Sequence, residues 1–237
     1  MRLTHTCLLT TGALALALGC APTNPGLTAE GVLTFDTMCL VTPTNALLLE
    51  GTLDLRTDVP AMYRPGGISY RAAFRVGNQL INNGNRVYPL MADPDRIVFN
   101  NVEVTLLDGS EAPLNLGGLP NPYLVPADGA VASTQSMDPT LGWASATVIT
   151  DAYGRALATY YAGSGSLASG QTILVRARII GTTAGGAVLT SGPVVFPIGL
   201  CIDCLFIAAC DTMGHGLFAP SCSPGQDAIT RIPGVCS

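Results

Sequence analysis

The sequence predicts an all-β protein, an antiparallel immunoglobulin-like β-sandwich with a disulfide-rich C-terminal tail. Three observations point there. Apolar and polar residues alternate over several short segments; long loops rich in Gly and Pro separate those segments; and only one stretch has helical character. A β-barrel is the second all-β arrangement compatible with the same pattern. The chain divides into an N-terminal export segment (1–19), a flexible polar tether (20–34), the sandwich (35–200) and a cysteine-rich tail packed on it (201–237).

Taken in order, Leu47–Leu55 alternates with Leu49, Gly51, Leu53 and Leu55 on one face and Glu50, Thr52 and Asp54 on the other, which predicts a strand with one wet face. Pro60, Pro65, Gly66 and Gly67 make the stretch from Val59 to Gly67 a loop. Ser69–Val76 is the clearest strand, with Tyr70, Ala72, Phe74 and Val76 inward and Arg71 and Arg75 on the solvated face. Asn82–Asp95 reads as a loop rich in Asn, Gly and Pro.

Ile97–Leu107 returns to strand character, Val102, Val104 and Leu106 facing in, and Asp108-Gly109-Ser110 closes it with a turn. The proline-rich run Pro113–Asp138 shows little periodicity and is expected to be irregular. Trp143–Thr150 is β-like. Asp151 caps a short helix over 152–161 that Gly154 weakens. After the small-residue spacer Gly163–Gly170, Thr172–Ile180 and Ala187–Phe196 flank Gly185-Gly186 as a long β-hairpin.

Composition narrows the function. Charged residues make up 11% of the chain, against about 25% in an ordinary globular protein, and all 11 basic residues are Arg. With a formal net charge of −5 and no basic cluster, nucleic acid is not an expected partner. The apolar run Val194–Ala209 is short and broken by Pro197 and Asp203, so it does not read as a membrane span.

The N-terminus carries the strongest targeting signal. Arg2 supplies a basic start, Leu8–Leu18 an apolar stretch too short to span a bilayer, and Ala17-Leu18-Gly19 leads into Cys20, with Leu16 close to the usual leucine position. This pattern resembles the signal of bacterial lipoproteins. The resemblance implies cleavage before Cys20, diacylation of its sulfur, N-acylation of the new terminus and stable attachment to a membrane. Because Ala21 rather than aspartate follows, it further implies the outer membrane, with the domain facing the periplasm or the cell surface.

Setting aside Cys7 in the signal and Cys20 as lipid acceptor, six of the eight cysteines are left: Cys39, Cys201, Cys204, Cys210, Cys222 and Cys236. An even number in an exported chain implies three disulfides in an oxidising compartment, with 15 possible pairings. The tail motif, Cys201-x-x-Cys204, Cys210, Cys222-Ser-Pro-Gly-Gln-Asp227 and Cys236, resembles tails of uncharacterised cysteine-rich lipoproteins from GC-rich predatory Gram-negative bacteria. That resemblance implies location and fold style and carries no activity.

The Cys201-Ile202-Asp203-Cys204 spacing also fits redox or metal chemistry. A redox CxxC ordinarily opens a helix, whereas this one follows a hairpin; zinc would need a second ligand pair; and a haem linkage would need His where Leu205 stands. Cysteines three apart on an extended chain face opposite ways, so Cys201 and Cys204 are expected to take different partners, Cys39 being one. Such a long closure would contribute about 5 kcal/mol in the chain-entropy picture.

No catalytic constellation emerges. The glycines around Ser164, Ser166 and Ser169 do not form GxSxG, and His215, the one histidine beyond the signal, sits between glycines. Asp93-Pro94-Asp95, with Asn100 or Asn101, is a weak calcium candidate, since turn-forming Asp beside Pro is commonplace. Trp143, Tyr153, Tyr160 and Tyr161 could line a sugar-binding face or fill the core.

The expectation is a non-enzymatic, outer-membrane lipoprotein with a structural or protein-interaction role, needing no cofactor, its expected partners the membrane through Cys20 and envelope proteins or glycans. A module binding a glycan or a calcium-bridged ligand is the alternative, and a periplasmic hydrolase ranks last.

Overall fold

A computed structural model describes residues 26–36, 39–57, 67–81, 93–162, 170–202 and 204, together with the backbone of Leu217–Pro220 and Ile229–Ile232. The fold is all-β with one helix. Eleven strands form a continuous mixed sheet: β1 (Leu27–Leu33), β2 (Leu47–Leu48), β3 (Gly51–Asp54), β4 (Tyr70–Asn78), β5 (Ile97–Leu107), β6 (Tyr123–Asp128), β7 (Ala130–Val131), β8 (Thr140–Ile149), β9 (Gln171–Thr183), β10 (Val188–Thr190) and β11 (Val194–Cys201). Their order across the sheet is β2-β1-β4-β8-β6-β5-β9-β11-β3, with β7 on β5 and β10 on β9. β12 (Leu217–Pro220) and β13 (Ile229–Ile232) pair antiparallel as a separate two-stranded ladder.

The strands form one continuous mixed ladder that is nearly closed, as in a barrel, and the expected immunoglobulin-like division into two sheets is not confirmed. Its two edges belong to one stretch of chain. β2 pairs antiparallel with β1 through Val32–Leu48, and β3, two residues further on, runs parallel to β11 through Ile198–Gly51 to Cys201–Asp54. The chain between Leu47 and Asp54 therefore bridges β1 and β11, which also approach one another directly. Exposed Leu49 and Glu50 occupy the break where the strand changes partner.

The inward faces follow the period of two. Tyr70, Ala72, Phe74 and Val76 of β4 are buried, and Val102, Val104 and Leu106 of β5 meet Ile173, Val175 and Ala177 of β9 and Phe196 and Ile198 of β11 in one core. The β5 register shifts between Phe99 and Asn101, so the paired asparagines Asn100 and Asn101 mark a bulge that keeps Ile97 and Phe99 on the buried face. A second irregularity lies in β8, where the register with β4 passes from Ile149 to Thr147 and skips Val148. The carbonyl of Val148 accepts a hydrogen bond from the Tyr123 hydroxyl.

Helix α1 (Asp151–Ala162) lies where the sequence places it and packs Tyr153, Leu157, Ala158 and Tyr161 inward. Gly154 is required rather than tolerated. A Cβ there would stand 1.8 Å from the Ile68 carbonyl oxygen and 2.5 Å from Ile68 Cγ2. The same contact is tied by the Asp151 carboxylate, which accepts the Ile68 amide at 2.7 Å and Arg155 Nε at 2.7 Å. Gly67, at φ 60°, makes room for it, since a Cβ would meet Asp151 Oδ1 at 2.0 Å.

Three expectations change. Residues 27–33 of the expected tether are β1, with Leu27, Val32 and Leu33 buried; polar Thr28 and Glu30 and a register shift between Ala29 and Gly31 disguise its alternation. The run Pro113–Asp138 is not irregular throughout, because Tyr123–Asp128 alternates cleanly as β6. Pro126 sits where that strand passes from pairing with β5 to pairing with β8. Asp54, assigned to the wet face, is fully buried. The export segment with Cys20, the loops 58–66 and 82–92, the spacer 163–169, His215 and the tail cysteines Cys210, Cys222 and Cys236 lie outside the described residues.

Candidate functional site

Among the described residues, three potential ligands for a metal converge at one place, where β3 and β11 end side by side: Asp54, Cys201 and Cys204. The parallel register sets Cys201 opposite Asp54, and the ladder continues one step further as the Leu55 amide donates to the Cys201 carbonyl at 2.8 Å. Both carboxylate oxygens of Asp54 receive backbone amides, Oδ1 that of Arg56 at 2.9 Å and Oδ2 that of Cys204 at 2.9 Å. A buried carboxylate thus folds the chain beyond β11 back over the end of β3.

That turn corrects the expected pairing. Cys201 and Cys204 are joined to one another, their Cα atoms 6.0 Å apart, where a fully extended chain would separate residues three apart by about 10 Å. Cys39 is also disulfide-bonded, so its partner is neither of them. It occupies a tight turn at φ 61°, its amide donating to the Asp36 carbonyl at 3.0 Å, while the Leu40 amide donates to Asp36 Oδ1 at 2.8 Å. One carboxylate oxygen of Asp54 and the two sulfurs lie within 4.8 Å of one another.

The other candidates take structural roles. Asp93 Oδ1 accepts the Asp95 amide at 3.1 Å and Oδ2 the Ser133 amide at 2.9 Å, so its carboxylate ties its own turn to the chain after β7. Burial pushes this carboxyl up, but hydrogen bonds from Ser133, Asp95 and Arg96 outweigh it and hold it below its ordinary value. Asp108 is held low by the Ser110 hydroxyl first, then by the Ala112 and Ser110 amides, as the turn after β5 requires.

The aromatic residues do not gather on one exposed face. Tyr153 stacks on Tyr123 with ring centroids 3.8 Å apart, and its hydroxyl donates to the Pro120 carbonyl at 2.6 Å. Burial, reinforced by the neighbouring Tyr153, raises the Tyr123 hydroxyl far above its ordinary range and keeps it a donor. Tyr161 is buried, and only Tyr160 of that pair reaches solvent. Outward arginines meet acids across the strands, Arg178 with Glu103 at 3.5 Å and Arg75 with Glu30 at 3.4 Å, or the Ser145 hydroxyl in the case of Arg71, at 2.9 Å.

Asp54 is the site residue that the sequence pattern misassigns, as it does the exposed Leu49 of the same segment, and no local signal would have found it. Its burial follows from the parallel pairing of β3 with a strand almost 150 residues away. No protein-family model matches this chain, and no curated protein matches it.

Proposed function

We propose that this protein is a lipid-anchored lipoprotein of the outer membrane whose β-domain is a non-enzymatic structural or protein-interaction module of the cell envelope. The reading is carried by the filled interior. Inward positions of β4, β5, β8, β9 and β11 are occupied by buried Tyr, Phe, Val, Ile, Leu and Ala side chains, as in small barrels packed by their own residues. Recognition then falls to the outer surface, where apolar side chains such as Leu49, Leu124 and Val188 are exposed. The disulfide-bonded Cys39, Cys201 and Cys204 suit an oxidising compartment. The lipid anchor itself rests on the pattern Leu8–Cys20.

The test is expression of the full chain in a Gram-negative host fed labelled palmitate. The wild type takes up label and sediments with the outer membrane, and Cys20→Ala loses both. Unlabelled wild-type protein in the cytosol with free thiols throughout would overturn the reading.

A further inference from the structure

We propose that the end of the sheet where the chain enters at Gly26 rests on the lipid surface that holds Cys20, with Ile81 and Met137 as the side chains that meet it. Such a contact depends on the lipid-anchored reading and specifies which end of the domain the bilayer touches. Two observations carry it. Exposed apolar side chains flank the point of entry, and the chain between Cys20 and Gly26 is too short to present the opposite end.

The Gly26 carbonyl accepts the Gln79 amide at 3.0 Å, so the chain enters β1 beside the segment that leaves β4. Two residues beyond Gln79, Ile81 is 55% exposed and bridges in parallel to Thr134. Thr134 shapes the next loop. Its hydroxyl donates to the Asp138 carbonyl at 2.6 Å and accepts the Ser136 amide at 3.1 Å, and Met137 on that loop is 100% exposed. The fold thus holds a large apolar side chain out in solvent on a hydrogen-bonded support. The uncharged turn Ala184–Ala187 lies at the same end, the Ala184 and Gly185 amides donating to the Arg96 and Pro94 carbonyls at 2.8 and 2.9 Å. Among the described residues, the charges around these loops are Asp93, Asp95, Arg96 and Asp138, an excess of acid that favours a zwitterionic lipid surface over an anionic one.

Reach selects this end. Six residue steps separate Cys20 from Gly26, and fully extended they span at most about 22 Å. β8 starts at Thr140, which pairs with Asn78 as Asn78 pairs with Leu27, and runs through 10 residues to Ile149, a length of about 30 Å at about 3.3 Å per residue. α1 follows Ile149, so exposed Tyr160 stands at the far end, as does exposed Ile202 beyond β11. A lipid on Cys20 cannot reach past those residues, and the bilayer meets the entry end.

The experiment takes the acylated product of the full chain from a Gram-negative host, as wild type, Met137→Trp and Tyr160→Trp. Each is reconstituted into vesicles of phosphatidylethanolamine and phosphatidylcholine, with or without phosphatidylcholine brominated near its headgroup. Both positions are exposed, so neither substitution disturbs the core, and the wild-type emission from Trp143 is subtracted. The emission added at residue 137 is expected to fall at least twofold with brominated lipid, while that added at residue 160 is unchanged. Quenching at residue 160 in its place would overturn the proposal. So would an unquenched residue 137, which would leave the entry end open to a protein partner. Mass spectrometry of the same sample reads the lipid: a chain without acyl groups fails the anchoring reading and this proposal with it, whereas an acylated chain unquenched at residue 137 fails this proposal alone.

Discussion

Replacing Gly154 with Ala separates two opposed effects whose sum has a definite sign. On propensity alone the change stabilises, since Ala is favoured over Gly in a helix interior by about 1 kcal/mol. The added methyl, however, would lie 1.8 Å from the Ile68 carbonyl oxygen and 2.7 Å from its carbon, and backbone cannot rotate away as a side-chain tip can. The Asp151–Ile68 hydrogen bond at 2.7 Å anchors the same segment, so relief requires α1 to move off the strand entry and to loosen the buried faces of Leu157 and Tyr161. Overpacking of this kind costs about 1–3 kcal/mol, and displacement of a capping contact adds about 1 kcal/mol. The net is a loss of about 1–3 kcal/mol. For a domain of this size that is a fall in Tm of about 3–10 °C, measured by thermal denaturation under non-reducing conditions. A Tm equal to or above that of the wild type would show that α1 does not pack closely on Ile68 and would refute the placement of the helix.

Tyr123→Phe keeps the ring that stacks on Tyr153 but removes the donor to the Val148 carbonyl, which the β4–β8 register skips; denaturant titration should show a loss of about 1–3 kcal/mol, and a neutral result would mean that water or another donor satisfies the bulge. Asp93→Asn tests a carboxyl held below its unfolded value of 3.8: its contribution is present above about pH 3.8 and is lost as pH falls through the lower folded value. The variant should therefore be less stable than the wild type at pH 7, by at most about 1 kcal/mol because the group is well solvated, with the gap closing below pH 3.8. A gap that widens in acid would reverse the sign of the argument.

Where a strand is paired on both sides and faces the core with every second residue, its own alternation announces it. β4, β5 and the β9–β10–β11 hairpin are legible for that reason, as is α1, whose Asp151 and 3.6-residue spacing are local features. β1 and β6 are not, because their signals are diluted, by small and polar residues in one and by Pro126 in the other. Whether the strands split into two sheets or curl into one is a long-range property, decided here by the segment Leu47–Asp54 joining β1 to β11. The candidate site was hidden in the same way. Alternation places Asp54 with Glu50 and Thr52 on the wet face, and nothing in the nearby residues reports that the end of β11 will cover it. The Cys201–Cys204 spacing was visible, but the pairing depended on a turn after β11 that an extended-chain argument excludes.

The closure of the sheet and the side-chain cluster at its end are consequences of one topological choice. An all-antiparallel meander would have left β11 as an open edge, with unpaired amides and carbonyls inviting another chain. Running β3 parallel to β11 covers that edge and brings the two strands to their C-terminal ends together, so that Asp54 and Cys201 finish in register. Parallel ends of this sort concentrate side chains from distant parts of the sequence where the chain leaves the sheet and backbone groups need new partners. Asp54 meets that need by accepting the amides of Arg56 and Cys204, one on each emerging strand. Removing the carboxylate would therefore unsettle both the edge seal and the turn that brings the two sulfurs together.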